Sequence, residues 1–513
     1  MSEEQRVVVV RDEQQQTGRN QAQMHNIRAA KAVADTVRST LGPAGMDKMM
    51  VDGHGNVIVT NDGATILREL DVAHPGAKMI IEMAKTQENV CYDGTTSTVV
   101  LGGQLLANSE QLFQKGLHPN VICRGYHQAS KWAIEYCDDL DSGSADLNLV
   151  AKTAMTGKSV EHCIDKASEL CVNAVLDAEG DASKVRVVCQ SGGSMDESKL
   201  FPGIVLNKEF QVPLPNGSAP NAILINTGLN TPKMEEKTNV HFSSAREAKE
   251  YNEAGKIALF ANAEKVASIL PHGGVVFSRD GVDERVVKFL AEANIAVVRR
   301  VTESSLTSLS RLLSIGVAHD IESLGEQHVG ECLSIREDKI GDMKYVIIEH
   351  ADEQCPVSTL ILRGATMQTL DEFERAFADS VGVVSLAFRD GKVVTGGGSV
   401  YISMANHLRQ RAADMGGREQ MAVEAFAEAL EIIPATIAEN AGHDPLDTIL
   451  ALRNDHAQGM SDRGVDVTNG GTASMTEIGV IEPLSVITQA IRSSSEVAIS
   501  ILRIDDIISK RIE

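Results

Sequence analysis

The spacing of apolar residues predicts that the chain begins with helices. At about 20–41 the apolar residues recur close to the 3.6-residue period of an α-helix, and Gly42-Pro43 is expected to end this helix. The helical pattern resumes at Gly63 and continues to about Cys137. Breaks are expected at Asp93-Gly94 and His118-Pro119, because Gly and Pro interrupt helices.

Short β-branched runs predict strands elsewhere. A strand is expected at 7–10, and a hairpin at 48–60 pairs 48–51 with 57–60 across a Gly-containing turn. Between 203 and 351 short strands alternate with amphipathic helices, and further strands are expected at 185–189 and 501–505. After 358–364 the pattern returns to long helices. Helical ends that flank an α/β region indicate one discontinuous helical domain with an inserted α/β domain. The strands expected inside the α/β region are 222–226, 274–277 and 295–298.

Length and composition agree with this division. A chain of 513 residues is too long for one hydrophobic core and suggests about three domains. Aromatic residues make up 4% of the chain, with one Trp, so the cores must consist mainly of Ala, Val, Ile, Leu and Met. Such a composition favours helix packing, and the predicted fold class is mainly α with α/β.

Charge and cysteine usage exclude several classes of protein. A formal net charge of −23 repels a phosphate backbone, so no nucleic-acid partner is expected; the acidity favours solubility or, alternatively, an acidic chamber. The eight cysteines form no CxxC pair and are expected to be reduced, mostly buried thiols. No apolar run suits a signal peptide or a membrane span, so we expect a cytoplasmic protein without a membrane partner.

Two segments combine an Asp, a Gly and hydroxyl residues where a helix is expected to begin. They are NDGAT (61–65) and YDGTTST (92–98). A Gly turn at a helix N-terminus leaves unpaired N–H groups at the positive end of the helix dipole, which suits a phosphate, and an Asp there can bind Mg²⁺. Asp and Thr are also favoured N-cap residues, so the pattern predicts either a phosphate site or two structural caps.

Three other segments carry possible chemistry. Gly396-Gly397-Gly398 either permits close approach of the backbone to a ligand or is a flexible turn. Asp379 lies on an expected helix among small and apolar residues, where a free charge is costly; alternatively it faces solvent or pairs with Arg375 one turn earlier. Gly157-Lys158-Ser159 resembles the end of a P-loop, but Lys152 stands where that motif requires its first Gly.

The order of the motifs is more informative than any one of them. The segments are TLGPAGMDKM (40–49), NDGATIL (61–67), DGTTST (93–98), TAMTGKS (153–159), GGGS (396–399), NAGHDPLD (440–447), GVIEPLSV (479–486) and TQAIRSSSEVAISILRIDD (488–506). In this order they closely resemble the group II chaperonins, the family of the archaeal thermosome and the eukaryotic cytosolic chaperonin, and the archaeal type in particular. The resemblance covers essentially the whole chain.

The resemblance implies a three-domain subunit. A helical equatorial ATPase domain would comprise 1–142 and 395–513, and a small intermediate domain 143–207 and 357–394. An α/β apical domain at 208–356 would bind substrate and carry a helical protrusion as a built-in lid. The hairpin at 48–60 corresponds to a stem loop that pairs with a neighbouring subunit's terminal strands.

The implied function is that of an ATP-dependent chaperone. Such a subunit binds non-native polypeptides and encloses them in the chamber of a stacked double ring, built from copies of itself or from paralogous subunits, and hydrolysis of ATP with Mg²⁺ drives the cycle. Two alternatives are a nucleotide-binding holding or structural ring with weak or no ATPase, and a metabolic enzyme. The chain has no small-molecule motif to support the metabolic enzyme.

The resemblance also assigns roles by position. Asp93 corresponds to the Mg²⁺-binding Asp, and Asp62 and Asp379 to the carboxylates that position and activate the attacking water. Asp379 would arrive from the intermediate domain when the subunit closes. Residues assigned to ATP are Leu41, Gly42 and Pro43 in the loop lining the nucleotide, Gly63, Gly94, Thr95, Thr96 and Ser97 at the phosphates, Lys158 as γ-phosphate sensor, and Gly397 and Glu482 on the ribose and base side.

Three positions depart from the family pattern. Tyr92 stands where Gly usually precedes the magnesium Asp, Tyr401 replaces a Glu after the Gly cluster, and Ala378-Asp379-Ser380 replaces His-Asp-Ala. If position 92 needs φ > 0, a Tyr would strain or shift the loop. All three acidic residues are present, so ATP hydrolysis stays the prediction, with a slow or specialised subunit as an alternative. The holding ring draws its support from the two tyrosines.

Two stretches of the apical segment are candidates for contact with substrate. The protrusion is expected at 242–263, where the apolar run 257–260 is either an exposed tip or part of the core. The helix at 283–293 corresponds to one that faces substrate in the family. Its apolar residues are Val286, Val287, Phe289 and Leu290.

Overall fold

The computed structural model describes most of the chain. The described residues are 14–17, 19–51, 55, 57–140, 145–214, 217–230, 244–340, 343–350, 355 and 357–510. The strand expected at 7–10 lies outside them, as do most of the hairpin turn and the first two residues of the expected protrusion.

Helices dominate the two ends of the described chain, and strands its middle. The helices are α1 (Arg19–Arg38), α2 (Gly63–Glu69), α3 (Pro75–Cys91), α4 (Thr95–Gln114), α5 (Pro119–Asp138), α6 (Leu147–Met155), α7 (Ile164–Asp177), α8 (Ala245–Ile269), α9 (Glu284–Glu292), α10 (Glu303–Leu313), α11 (Met367–Asp390), α12 (Ser399–Met415), α13 (Arg418–Leu430), α14 (Ile432–Asn440), α15 (Pro445–Ala457), α16 (Met475–Ile478) and α17 (Leu484–Leu502). The strands are β1 (Gln14–Thr17), β2 (Lys48–Val51), β3 (Val57–Thr60), β4 (Val185–Ser191), β5 (Lys199–Leu206), β6 (Ser218–Ile225), β7 (Gly274–Ser278), β8 (Ile295–Val298), β9 (Val329–Ile340), β10 (Met343–Glu349), β11 (Ser358–Gly364), β12 (Val393–Thr395), β13 (Arg463–Val465), β14 (Thr472–Ser474), β15 (Ile481–Pro483) and β16 (Ile507–Lys510).

The chain forms two compact units, Met1–Ser168 with Ala378–Glu513, and Glu169–Phe377. Both divisions fall inside the two segments that the resemblance assigns to an intermediate domain. The predicted boundaries of the three domains stay predictions.

The first unit is a helical assembly in which α4 and α17 pack against several other helices. Small residues allow close approach of helix axes. A Cβ atom added to Gly103 on α4 would lie 2.4 Å from the Cβ of Ala34 on α1, and one added to Gly125 on α5 would lie 2.4 Å from that of Ala422 on α13. The composition predicted Ala among the core residues, and at these two contacts Ala packs at short range against Gly, which was not predicted.

The expected hairpin is confirmed. Strands β2 and β3 pair antiparallel, with Met49 opposite Val59 and Val51 opposite Val57. These four side chains share one face and all are exposed; Met49, the most open of them, is 70% exposed. The hairpin therefore presents an apolar face outward.

The last expected strand is misplaced. Ile501 and Leu502 are the buried final residues of α17, and the strand follows at Ile507–Lys510, where it pairs antiparallel with β1. The apolar residues continue the helical period of α17, with Ala498 one turn earlier, so burial on one helix face decides the structure over β-branched composition.

The second unit is built on an eight-stranded mixed sheet of order β4-β11-β5-β10-β9-β6-β7-β8. Alternate residues of β6 enter two different cores: Ala222 and Leu224 pack in one, and Ile223 and Ile225 in the other. Both faces of the sheet are therefore buried there, which explains why the strands read as continuous apolar runs. The predicted α/β region is confirmed.

Two further expectations can be compared with the described residues. All eight cysteines are free thiols and five are buried. Within the described part of the chain, no helix is both long and apolar enough to cross a membrane.

Candidate functional site

A cavity of about 600 Å³ lies in the first unit. Its wall is formed by the loops that follow α1, β3, α3, α6 and β12, together with residues of β15 and the segment around β13 and β14. Every residue that the sequence assigned to a site lies in this wall. They are Leu41, Gly42, Pro43, Asp62, Gly63, Asp93, Gly94, Thr95, Thr96, Ser97, Lys158, Asp379, Gly397 and Glu482.

The Asp62 carboxylate caps α2. One of its oxygens accepts a hydrogen bond from the Ala64 N–H at 3.2 Å, and the other from the Thr65 N–H at 2.9 Å. This fixes the orientation of the carboxylate while leaving each oxygen a further lone pair. Asp62 is therefore both a structural N-cap and a rigid acceptor at the cavity wall.

Helix α4 starts differently, because no side chain caps it. Its N-cap residue, Gly94, has a φ of 75° and presents no side chain to the N–H groups of the first turn, while the Asp93 carboxylate accepts the Gly94 N–H at 2.7 Å. Helix α12 likewise begins at a glycine, Gly398, without a side-chain cap. The N–H groups of the first turn of α4 thus lie at the cavity wall without a side-chain cap, the arrangement that suits a phosphate. At α12 the Ser399 N–H donates to the Gly396 carbonyl at 3.1 Å.

A close approach between α2 and α4 joins the two motifs. A Cβ atom on Gly63 would lie 2.4 Å from the Thr96 hydroxyl oxygen. Only glycine leaves the two helix starts this close. The two segments with an Asp, a Gly and hydroxyl residues therefore lie side by side in the wall of one cavity, where Asp62 is also a helix cap.

Lys158 and Asp379 form an ion pair in the cavity. The Lys158 Nζ donates to the Asp379 carboxylate at 2.7 Å, and both side chains are mostly buried. Arg375, which the sequence offered as the alternative partner, binds Glu372 instead. The Asp379 side chain therefore belongs to the cavity and not to a surface pair along its own helix.

The charges around this pair shift both pKa values. Burial raises the pKa of Asp379 to about 6; the ammonium of Lys158 opposes the shift, and the carboxylates of Asp62 and Asp93 add to it. Burial alone would lower the pKa of Lys158, but the three carboxylates raise it above its usual range. Lys158 is therefore held as a cation among carboxylates.

The described wall carries more negative charge than positive. Lys158 is its one basic residue, against the carboxylates of Asp62, Asp93, Asp379 and Asp466. A divalent cation would relieve this excess, and carboxylate oxygens are the ligands that Mg²⁺ prefers. Across the described residues, no three His, Cys, Asp or Glu side chains come together as a metal site. A Mg²⁺ held by Asp93 would therefore take most ligands from phosphates and water, as is usual for this ion.

The loop at 41–43 and the loop around Gly157 are each held by an asparagine side chain, and the two loops pack against each other. The Asn440 side chain of α14 donates to the Leu41 carbonyl at 2.8 Å, and the Asn61 side chain donates to the Gly157 carbonyl at 2.5 Å. A Cβ on Gly157, whose φ is 76°, would lie 3.0 Å from the Pro43 Cα. The loops that carry Pro43 and Lys158 are thus packed backbone to backbone.

The Gly cluster is a tightly packed turn. A Cβ on Gly397 would lie 2.4 Å from the Met475 sulfur, and one on Gly398 2.7 Å from the Pro434 Cβ; both residues have positive φ. The two glycines are therefore packed closely against Met475 and Pro434. Behind the turn, β12 pairs with β15, which places Glu482 opposite Val394. Burial and then the charge of Asp93 raise the pKa of Glu482 to about 8.

Tyr92 does adopt the backbone conformation that favours glycine. It is the residue after α3, with a φ of 60°, which costs an L-residue other than Gly or Asn roughly 1–2 kcal/mol. The loop accommodates the strain without losing the Asp93–Gly94 turn. Tyr401 is buried in the wall, and burial followed by the charge of Glu482 raises the pKa of its hydroxyl well above the usual value.

Part of the wall was missed in the sequence. It includes an apolar surface made by α14, α16 and the residues after α16, and the loop after β13 with Asp466. The apolar residues are Ile433, Ile437, Met475, Ile478 and Val480. No sequence signal distinguishes an apolar residue in a cavity wall from one in a core, so only the motifs with Gly, Asp and hydroxyl residues were recognisable.

In the second unit, the candidate substrate-contacting residues are divided between surface and core. Ile257 on α8 is 71% exposed, whereas Leu259 is buried and Phe260 packs edge-on against Phe289 at 5.9 Å. On α9, the three aliphatic candidates Val286, Val287 and Leu290 lie in the core. From these two candidate sets, Ile257 and Ala258 are exposed, and Phe260 and Phe289 are half-buried.

Comparison with known proteins agrees with the motifs. Residues 33–511 match the TCP-1/cpn60 chaperonin family. The chain is 41% identical to thermosome subunit beta of Archaeoglobus fulgidus, across 98% of this chain and 95% of that protein. It is 41% identical to thermosome subunit alpha of Halobacterium salinarum (98% and 91% covered) and 40% identical to thermosome subunit alpha of Thermoplasma acidophilum (97% and 93% covered).

Proposed function

The chain belongs to the TCP-1/cpn60 chaperonin family, and from that premise we propose that it is an ATP-hydrolysing subunit of a thermosome-type folding ring. Membership makes it a chaperonin subunit with the expected three-domain fold class. Hydrolysis of ATP with Mg²⁺, enclosure of non-native polypeptides and the double ring are the proposal, as are the domain boundaries given above.

One observation carries the proposal. The Lys158–Asp379 ion pair, the Asp62 cap and the uncapped start of α4 after Asp93 all meet in one cavity of about 600 Å³, although they come from distant parts of the chain. Such a set supplies donors for phosphate oxygens and carboxylates for a cation and a water. Two structural helix caps alone would not require Lys158 and Asp379 to lie in the same cavity.

In this proposal the residues divide the work of phosphoryl transfer. Asp93 would hold Mg²⁺, which neutralises phosphate charge, and the N–H groups of α4 and Lys158 would bind phosphate oxygens. Asp62, fixed by two N–H donors, would orient the attacking water. Asp379 would accept the water's proton, for which a carboxylate with a pKa near 6 is well suited. Glu482 and Gly397 would line the ribose and base side.

Assembly into a ring would use the hairpin and the terminal strands. The apolar face of β2 and β3 is exposed in the single chain, and the two-stranded sheet β1–β16 has both of its edges open in the described structure. Edge strands of this kind pair readily with other strands. We propose that a neighbouring subunit, identical or paralogous, covers them.

The proposal is tested by refolding. A chemically denatured enzyme that aggregates on dilution would be mixed with the assembled protein, and recovery of its activity measured with ATP and Mg²⁺, with ATP and EDTA, and with ADP and Mg²⁺. We expect recovery well above the spontaneous level only with ATP and Mg²⁺. Equal recovery under all three conditions would contradict an ATP-driven cycle.

The holding ring is the second candidate, and the buried Tyr401 beside Glu482 is the observation that favours it. A bulky aromatic in the wall narrows the space on the base side. A holding ring would suppress aggregation of the denatured enzyme in every condition and release none of it active on addition of ATP.

A further inference from the structure

Helix α11 places three positions on the face that borders the cavity and the end of α3. Asp379, Gly382 and Leu386 are spaced i, i+3 and i+7, which aligns them along one side of a helix. Asp379 reaches Lys158, and Leu386 lies in a small buried cluster with Cys91 and Val486. Gly382, between them, is buried.

The ring of Tyr92 occupies the space above Gly382. A Cβ atom added to Gly382 would lie 2.1 Å from the ring Cγ and 2.5 Å from both Cδ atoms, distances that no side chain could tolerate without displacement of the ring. The aromatic ring is therefore seated directly on the helix backbone, one turn from Asp379. Glycine at 382 is the residue that makes this contact possible.

The backbone of Tyr92 is constrained at the same point. Its N–H donates to the Glu88 carbonyl at 2.9 Å and closes α3, its φ is 60°, and the next residue is Asp93. A tyrosine keeps a left-handed conformation only where its surroundings determine it, and such positions cluster at functional sites. Here the conformation is held by the contact of the Tyr92 ring with Gly382 on α11 and by the buried cluster of Cys91 and Leu386 beside it.

We propose that Tyr92 is a positioning residue for hydrolysis: its ring, seated on Gly382, holds α11 so that Asp379 stays in the cavity beside Lys158. Tyr92 acts through Asp379 and takes no part in bond making. The contact also ties the loop of Asp93 to the helix of Asp379, so it sets the two carboxylates relative to each other once Asp379 is in the cavity. This inference rests on the proposed ATPase function.

The first test compares substitutions of Tyr92 in the assembled protein. Single-turnover hydrolysis of ATP isolates the chemical step, and calorimetry with ADP reports nucleotide affinity. Tyr92→Gly removes the ring and should slow the chemical step roughly ten- to a hundredfold, since small misplacements of a catalytic group have effects of that size. ADP affinity should change by less than about threefold, well below that loss of rate. Tyr92→Phe keeps the aromatic ring, so its chemical step should be as fast as that of the natural protein.

The second test inserts a methyl group between the partners. Gly382→Ala should slow the chemical step when residue 92 is Tyr, although Ala is the better helix former. In a Tyr92→Gly background the new methyl meets no ring, so Gly382→Ala should cause no further loss. Such non-additivity is the signature of a direct contact and would not arise from general loss of stability.

The outcomes are separable from those of the proposed function. If the natural protein shows no turnover, the ATPase proposal itself is overturned, and this inference with it. If the natural protein turns over ATP and Tyr92→Gly does so equally fast, only the positioning role is overturned. An equal loss from Gly382→Ala in both backgrounds would also overturn it. Should Gly382→Ala fail to assemble, the comparison of Tyr92→Gly with Tyr92→Phe still decides.

Discussion

At the scale of single residues, Glu431 shows how this protein keeps a buried charge. Its carboxylate is 6% exposed and accepts two hydrogen bonds from Arg409, both at 2.7 Å, and two more from Arg453. Burial alone would raise the pKa of Glu431, but the hydrogen bonds and charges of the two guanidinium groups lower it. The carboxylate joins α12 and α15 through these bonds.

Replacement of this carboxylate should be costly. Glu431→Gln leaves two partly buried arginines without their counter-charge, and removal of one member of such a cluster costs about 3 kcal/mol. The midpoint of urea unfolding at pH 7 should therefore fall clearly. Glu424→Gln, at an exposed position on α13, is the matched control and should leave the midpoint nearly unchanged. Equal midpoints for the two variants would contradict this role.

The same residue predicts a pH dependence. Because the folded-state pKa of Glu431 lies below its unfolded value, the folded protein binds fewer protons, and the stability gained is fully present above the unfolded pKa near 4.5. It is lost as the pH falls through the lower folded-state pKa. The difference in unfolding midpoint between the natural protein and Glu431→Gln should therefore shrink on acidification. If the difference in unfolding midpoint grows at low pH, the folded-state pKa of Glu431 is not lowered and this prediction is contradicted.

At the scale of elements, the β2–β3 hairpin carries the prediction for assembly. Met49→Lys together with Val59→Glu replaces one exposed apolar pair by a directly opposed ion pair, which keeps the hairpin itself paired while its outer face becomes charged. We expect the ring to dissociate into smaller species in light scattering after size exclusion, with an unchanged far-UV circular dichroism spectrum.

The matched control is Leu333→Lys on β9, which charges another exposed apolar position. It should leave the ring intact. An intact ring in the hairpin variant, or equal dissociation in the control, would mean that the apolar face of the hairpin is not the contact.

Helices and strands could be predicted from the sequence where the regular spacing of apolar residues continued over a long stretch. Helices α1, α4 and α5 and the hairpin follow directly from apolar spacing and Gly or Pro breaks. The interruption between α2, which ends at Glu69, and α3, which begins at Pro75, was not predicted. The prediction of a strand at 501–505 was wrong. The apolar side chains of Ile501 and Leu502 suit a strand, but they also complete the buried face of α17. Local composition could not decide between the two; packing against the helical core did.

At the scale of the whole molecule, the site could be predicted because its motifs are specific in type and order. Residues far apart in sequence, such as Asp62, Lys158 and Asp379, were expected together and do lie in one cavity. The contact of Tyr92 with Gly382 could not be foreseen, since neither residue carries a chemical signature and their pairing exists only in the fold. The apolar part of the cavity wall formed by α14 and α16 was not predicted, for the same reason.

In the proposed function, α11 delivers the catalytic carboxylate of Asp379 into a nucleotide site. The most direct test is Mg²⁺-dependent ATP hydrolysis by the assembled ring, compared between the natural protein and Asp379→Ala, with ADP binding measured in parallel. Turnover should fall at least about a hundredfold in the variant, because the general base contributes a factor of that order. Nucleotide should still bind. Unchanged turnover in Asp379→Ala, or a natural protein with no turnover above background, would contradict the claim.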